Sequence, residues 1–75
     1  MTVNKRVREI RKSKGITQVF VARQLGVSAQ TYNAYELQRK DLQAGTLRRI
    51  AEILNEPIEN FFKQEIYESK KSETA

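Results

Sequence analysis

Apolar residues recur every three or four positions along the chain, and no segment alternates apolar and polar residues with a period of two. This spacing predicts α-helices and no β-strand. Hydroxyl side chains that can cap a helix start precede three of the apolar segments, at Thr2, Thr17 and Ser28. Glycines that can adopt the left-handed backbone conformation follow the first two, at Gly15 and Gly26. The residues predicted to face inward in these three helices are Val3, Val7, Ile10, Val21, Ala22, Leu25, Tyr32 and Tyr35.

The second half of the chain predicts a loop over 37–44 and two further helices. The fourth helix has an apolar stripe at i, i+3, i+4 and i+7 and ends near Asn55. That stripe consists of Leu47, Ile50, Ala51 and Leu54. Pro57 suits the first turn of a fifth helix, and the apolar positions of that helix are Ile58, Phe61 and Phe62. The predicted fold class is therefore all-α, a compact five-helix bundle over 1–66 with a disordered charged tail over 67–75.

Composition excludes most kinds of chemistry. The chain has no Cys and no His, and Asp41 is its one aspartate. A disulfide, a thiolate nucleophile, a Cys or His zinc site and the common catalytic triads are excluded, so we expect no enzyme activity, cofactor or metal. We interpret three later acidic residues as a solvated face rather than a carboxylate metal site: Glu52, Glu56 and Glu59. No apolar run approaches the ~20 residues of a membrane span, so we expect a soluble, cytoplasmic protein.

The net charge of +5 is unevenly distributed. Residues 1–49 contain 11 Lys and Arg against three Asp and Glu, whereas residues 50–75 contain three against six. A basic half is typical of proteins that bind a polyanion, because Lys and Arg neutralise phosphates and so supply most non-specific affinity for nucleic acid. Charge alone does not separate this interpretation from a basic face that only keeps the protein soluble.

Residues 17–36 have the spacing of two helices joined by a tight turn. Ala22 is small where the helices cross, Gly26 supplies a left-handed residue, Val27 fills the space beneath the turn and Ser28 begins the next helix. This segment resembles the Xre/Cro-repressor helix-turn-helix family of bacteria and their phages. The resemblance extends over residues 3–62 and includes IRKSKGITQ, ARQLGVS, YELQRKDL and TLRRIAEILNEPIENFF.

The resemblance implies a lambda-repressor-like DNA-binding domain whose third helix, around residues 28–36, reads the major groove of double-stranded DNA. It also implies that Gln18 contacts a phosphate and braces that helix, and that Glu36 pairs structurally with Arg11. Because the third helix has no Lys or Arg, affinity is expected from its basic flanks and from the first helix. The expected DNA-contacting residues are Gln18, Arg23, Ser28, Ala29, Gln30, Thr31, Asn33, Ala34, Arg39 and Lys40.

Side-chain chemistry indicates which bases these residues would select. Gln30 and Asn33 can each form a bidentate pair with adenine, and the methyl groups of Ala29 and Thr31 can contact a thymine methyl. We therefore expect A·T positions in the half-sites, with a guanine contact by Gln30 as the alternative. Tyr32 and Tyr35 are spaced for core packing rather than for stacking on bases.

The chain departs from the family pattern at three places. Leu37 and Gln38 replace the usual Arg-Gly after Glu36, and Leu42 replaces the usual loop proline, which puts the shape of that loop in doubt. Val19 and Phe20 replace two polar residues of the second helix. These two apolar residues indicate either packing on a neighbouring element or contact with a partner protein.

Members of the family usually bind twofold-related operators as homodimers, with half-sites about one helical turn (~34 Å) apart. Phe61, Phe62 and Ile66 are candidates for the dimer contact, with core packing as the alternative. The function expected is that of a sequence-specific transcriptional regulator, a repressor of phage, mobile-element or stand-alone bacterial type, associated with the nucleoid when bound. The alternative is an antitoxin-like or controller protein whose main role includes binding a protein partner.

Overall fold

The computed structural model describes residues 2–62 and contains four α-helices, one 3-10 helix and no β-strand within that range. The helices are α1 (Val3–Ser13), α2 (Gln18–Leu25), α3 (Ala29–Glu36) and α4 (Ala44–Leu54), followed by a 3-10 helix (Ile58–Phe61). The all-α prediction is confirmed, but the prediction of a fifth α-helix is wrong for the described residues. The predicted tail over 67–75 and the domain end at residue 66 lie outside the described residues.

The segment after α4 forms a single 3-10 turn, and Pro57, with ψ of 135°, precedes this turn instead of lying in the first turn of a helix. The amide of Asn60 donates to the Pro57 carbonyl at 3.0 Å, and that of Phe62 to the Glu59 carbonyl at 3.1 Å. Both are i to i+3 bonds, which close a tighter turn than an α-helix does. Phe61 is buried in the core from this turn, so one turn suffices to close the bundle.

The core lies between all five elements. α2 packs on α3 and α4, α1 packs on the same two helices, and the 3-10 helix covers α1 and α4. Ala22 is buried where α2 crosses its neighbours, and Tyr35 lies half-buried at the edge of the core. Burial confirms the predicted stripe of α4 and most inward positions of α1 to α3, where Val3, Leu25 and Tyr35 are only partly buried. Of the apolar positions predicted for the fifth helix, Phe61 is buried, but Ile58 and Phe62 are exposed. The buried set consists of Val7, Ile10, Val21, Ala22, Tyr32, Leu47, Ile50, Ala51, Leu54 and Phe61.

The three predicted hydroxyl caps are all formed. The hydroxyl oxygens of Thr2, Thr17 and Ser28 accept hydrogen bonds from amides three residues later, at 3.2, 3.1 and 3.0 Å respectively. Each bond satisfies one of the N–H groups that the first turn of a helix leaves without a partner. The start of α4 differs, because Gln43 makes no side-chain capping bond.

The four α-helices end in the same way. The residue that follows the last turn has positive φ, and the next amide donates to a carbonyl five residues back, which closes a Schellman-type end. The left-handed residues are Gly15, Gly26, Gln38 and Asn55, with φ of 71°, 79°, 62° and 54°. The closing bonds are Ile16 to Arg11, Val27 to Ala22, Arg39 to Ala34 and Glu56 to Ala51, at 2.9 to 3.2 Å. Gln38 therefore adopts the left-handed conformation for which glycine is suited. Because the closing bond from Arg39 to Ala34 still forms, this turn is intact without the family's glycine.

Replacing Gln38 by Gly is expected to make the protein about 1 kcal/mol more stable than the Gln38→Ala variant. Both substitutions remove the hydrogen bond that Gln38 Nε2 donates to Thr2 Oγ1 at 2.9 Å. Only glycine also removes the clash of a Cβ with the backbone at positive φ. Urea unfolding of the two variants measures the difference, and equal stabilities would show that residue 38 is not left-handed in solution.

Candidate nucleic-acid interface

A buried ion pair connects the first and third helices. Arg11 of α1 donates from Nε to Glu36 Oε2 at 2.7 Å and from Nη2 to Glu36 Oε1 at 3.2 Å. The third donor, Nη1, bonds to the carbonyl of Ile16 in the turn between α1 and α2 at 2.7 Å. Arg11 is 9% exposed and Glu36 is 4% exposed. The pair therefore holds the end of α3 against α1 and against the start of the helix-turn-helix.

Gln18, the first residue of α2, completes this network. Its Nε2 donates to Glu36 Oε1 at 2.9 Å and to Asn33 Oδ1 at 2.8 Å. These two bonds connect α2 directly to α3, as the expected brace requires. They also use both hydrogens of the amide, so in this arrangement a phosphate contact at Gln18 falls to the backbone N–H groups in the first turn of α2.

The charges in the network are fixed by its hydrogen bonds. Burial raises the pKa of Glu36, but the hydrogen bonds from Arg11 and Gln18 outweigh burial and hold that pKa below its ordinary value. The hydrogen bond to Glu36 raises the pKa of Arg11. Burial raises the pKa of the Tyr32 phenol, whose oxygen has no hydrogen-bond partner among residues 2–62. The network is thus an ionised pair beside a neutral phenol, and the buried ring of Tyr32 is not available to stack on a base.

The outer face of α3 presents small and neutral polar groups. Ala29 and Gln30 are exposed, whereas Thr31 and Ala34 are half-buried. The hydroxyl of Thr31 accepts a hydrogen bond from that of Ser28 at 3.0 Å. The side-chain amide of Gln30 makes no hydrogen bond with another described residue, so its Nε2 donor and its Oε1 acceptor are both available to a ligand.

Asn33 differs from Gln30 because its amide is already engaged. Asn33 is half-buried, and its Oδ1 accepts the bond from Gln18. The bidentate adenine pair expected for Asn33 would have to share this oxygen. The sequence analysis did not reveal this contact, because residues 18 and 33 lie on different helices.

Three basic residues flank α3. Arg23 is exposed on α2, and Arg39 and Lys40 are exposed in the loop that follows α3. None of the three forms an ion pair with another residue of the described range. The Schellman bond from the amide of Arg39 to the carbonyl of Ala34 fixes where this basic loop leaves the helix.

The loop and the start of α4 contribute features that the sequence analysis missed. Leu42, at the family's proline position, packs against the core instead. Because Gln43 provides no side-chain cap, the first N–H groups of α4 remain free to bind an anion. A groove of about 370 Å³ lies beside this helix start, and its polar lining residues are Tyr35, Gln43, Thr46 and Arg49. The absence of Ser, Thr, Asp or Asn at position 43 was the available sequence signal.

Large apolar side chains are exposed on α2, after α3 and on the 3-10 segment. After α3, Leu37 is 44% exposed, and at the start of the 3-10 helix Ile58 is 37% exposed. Val19 and Phe20 of α2 are 52% and 47% exposed, and Phe62 at the end of the 3-10 helix is 50% exposed. Phe20 lines a groove of about 420 Å³ with Gly15, Ile16, Thr17 and Ile53. Val19 does not line this groove.

Burial favours the core-packing alternative at one of the three candidate dimer residues. Phe61 is 1% exposed because it fills the core between α1 and α4, so it cannot contact a second subunit unless the fold opens. Phe62 is placed at the surface, and Ile66 lies outside the described residues. No group of three acidic, His or Cys residues within the described range is arranged to hold a metal ion.

In this domain a tight turn joins α2 to α3, α2 holds α3 in place, and the exposed face of α3 is uncharged. This arrangement is typical of a DNA-binding helix-turn-helix domain. A family model described as helix-turn-helix matches residues 7–61, most of the chain. The chain belongs to the Xre/Cro-like helix-turn-helix family, a DNA-binding regulatory family rather than an enzyme family. No curated protein and no solved structure matches it significantly. Within the described residues, none of the helices has the length and apolar character to cross a membrane.

Replacing Glu36 by Ala is expected to lower the free energy of unfolding by about 3 kcal/mol at neutral pH, because the buried Arg11 loses its counter-ion. Urea unfolding measures the loss. The matched double variant, Arg11→Met with Glu36→Leu, removes both charges and is expected to recover most of it. Unchanged stability of Glu36→Ala, or a double variant no more stable than Glu36→Ala, would contradict this role.

The cost of Glu36→Ala is also expected to depend on pH. Because folding lowers the pKa of Glu36, its contribution to stability is complete above the ordinary value of 4.5 and disappears as the pH falls through the folded-state pKa. The difference between the wild type and Glu36→Ala should therefore shrink below pH 4.5.

Proposed function

We propose that this DNA-binding regulator is a sequence-specific repressor that reads the major groove of double-stranded DNA with α3 and its cap, residues 28–36. The observation that carries the proposal is the uncharged outer face of α3, which the network of Arg11, Gln18 and Glu36 holds in place. A face without charge adds nothing to attraction by phosphates, so it suits discrimination among base edges. Repression then follows from occupancy of promoter DNA.

Base selection falls mainly to Gln30. Its free amide can accept from N6 and donate to N7 of an adenine, a pair that discriminates by about 1–3 kcal/mol. The methyl groups of Ala29 and Thr31 add apolar contact with a neighbouring thymine. Asn33 contributes through its Nδ2, because its oxygen is bonded to Gln18. The proposed half-site therefore contains A·T pairs.

Affinity is supplied by groups around α3 that contact phosphates. Arg23 precedes the recognition helix, and Arg39 and Lys40 follow it. The free N–H groups at the starts of α2 and α4 add neutral donors whose helix dipoles favour an anion. Phosphate contacts of this kind fix the register of the protein on the duplex but do not select a sequence.

Gln30→Ala is expected to weaken binding to a site selected from random DNA by about 1–3 kcal/mol per half-site, while binding to random duplexes and its salt dependence stay unchanged. The preference should relax at one base pair of each half-site. Gln24→Ala is the matched control, because Gln24 is an exposed glutamine on the neighbouring helix α2. Equal losses for the two variants would show that Gln30 does not read a base.

We also propose that the regulator binds a twofold-related operator as a homodimer. A recognition helix of eight residues is about 12 Å long and spans only a few base pairs, so two copies are needed for a useful site. The exposed Ile58 and Phe62 lie close together in the chain at the end of the domain and form the proposed contact. The groove at Phe20 supports the second candidate, a regulator that also binds a protein partner through α2.

Phe62→Glu is expected to shift the protein from dimer to monomer in sedimentation experiments and to weaken binding to a two-half-site operator more than to a single half-site. Phe20→Glu is the matched control, because Phe20 has a similar exposure and lines a groove on α2 to which Phe62 does not contribute. Dissociation caused by Phe20→Glu but not by Phe62→Glu would place the dimer contact at the groove instead. A wild-type monomer on a two-half-site operator would refute the homodimer.

A further inference from the structure

We propose that the exposed row of cations on α1 is a second phosphate-binding surface, which extends the DNA contact beyond the recognition helix. The row consists of Lys5, Arg8 and Lys12, and the basic loop at Arg39 and Lys40 continues it. We call these five residues the basic belt. The inference rests on the proposed function, because it extends the phosphate contacts proposed for Arg39 and Lys40 to three cations of α1 to which the proposed function gives no contact.

Two contacts place one side of α1 against the end of α3. Asn4 Nδ2 donates to the carbonyl of Tyr35 at 2.6 Å, and Arg11 pairs with Glu36 about two turns further along α1. Arg8 lies between them on the same stripe, because residues four and seven positions apart share a helix face. Unlike its two neighbours on the stripe, Arg8 is exposed.

The belt is continuous with the loop after α3. Gln38 Nε2 donates to Thr2 Oγ1 at 2.9 Å, and this oxygen also accepts from the amide of Lys5 at 3.2 Å. The loop that carries Arg39 and Lys40 is thus fixed beside the first turn of α1. The cations therefore follow one edge of the domain, next to the C-terminal end of the helix proposed to enter the groove.

Few carboxylates oppose the charge of the belt. Glu9, the one acidic residue of α1, pairs with Arg6 at 3.6 Å, and Glu36 is buried against Arg11. Asp41 follows the loop cations and is exposed. In the part of the chain described, none of the five belt cations forms an ion pair.

The length of the row matches a nucleic-acid backbone. From Lys5 to Lys12 the helix rises by roughly 10 Å, and one strand of DNA carries a phosphate about every 3.4 Å along its axis. Three cations can therefore face about three successive phosphates. An acidic protein fits less well, because a protein interface needs an apolar centre. None of the large exposed apolar residues lies on α1, and Leu37, just before the belt's loop, is a single such residue rather than a cluster.

The test is the salt dependence of binding for the triple variant Lys5→Gln, Arg8→Gln, Lys12→Gln, with duplexes of random sequence and of selected sequence. The slope of log affinity against log salt is expected to fall by roughly two to three relative to the wild type, on both duplexes alike. Affinity at about 0.1 M salt should fall at least tenfold. Preference for the selected site should remain, because no base contact is removed.

Single variants control for net charge. Arg8→Gln and Arg48→Gln each remove one cation from an exposed helix position. Arg48 is a residue of α4 and lines a separate groove with Glu52 and Pro57. The slope should fall by about 0.9 for Arg8→Gln and stay unchanged for Arg48→Gln. Equal changes of slope in the two variants would show that the slope depends only on the net charge of the protein, and would overturn the proposal. Urea unfolding establishes that the variants are folded.

The two proposals fail in different ways. If the wild type prefers its selected site and the triple variant keeps the full salt slope, the belt is not a DNA surface, and an acidic protein becomes its candidate partner. If the wild type shows no preference for any sequence, the proposed function fails, whatever the slope. Arg39→Gln with Lys40→Gln, in the same assay, separates the loop contacts from those of α1.

Discussion

The buried pair of Arg11 and Glu36 is the interaction on which the rest of the structure depends. Taking two charges out of water is costly, and this cost is offset because each nitrogen of the Arg11 guanidinium donates to an acceptor. Glu36 accepts bonds from Arg11 and from Gln18, and Arg11 uses its remaining nitrogen on the turn before α2. An eight-residue helix is too short to be stable on its own in water. The orientation of α3 is therefore set by this network and by the packing of Tyr32, not by helix propensity.

The same pair determines which charges a duplex would meet. Glu36 is the one charged residue of α3, and its side chain is 1% exposed, so the carboxylate is withdrawn from the outer face. An exposed carboxylate there would repel the phosphates on either side of the groove. With that charge neutralised inside the domain, the cations on the flanks supply attraction and the neutral face of α3 is left for base contacts. Affinity for DNA therefore depends on the flanking cations, and selectivity among sequences depends on the neutral residues of α3.

The sequence predicted those parts of the fold that depend on local rules. Capping hydroxyls and glycines mark helix ends through contacts within five residues, and the stripe of α4 follows from helical periodicity. The 3-10 helix was mispredicted because Pro57 permits either an α-helix or a single turn, and the short segment has no local signal that separates them. The pairing of Arg11 with Glu36 came from the family resemblance, since no periodicity relates residues 25 positions apart. The bond between Gln18 and Asn33 depends on how two helices cross, so the sequence could not show that one candidate base-reading side chain is partly occupied.

Gln38 shows why a position can retain a residue that its backbone disfavours. A non-glycine residue at positive φ costs of order 1 kcal/mol, and such strain persists where the surrounding structure fixes it. Here the Schellman bonds fix the backbone, and the side chain that glycine would lack bonds to Thr2 at the start of α1. This bond connects the loop of Arg39 and Lys40 to the helix of Lys5 and Arg8. The strained residue therefore helps to fix the distance between the cations of the loop and those of α1. A row of charges can match a row of phosphates only if such distances are fixed.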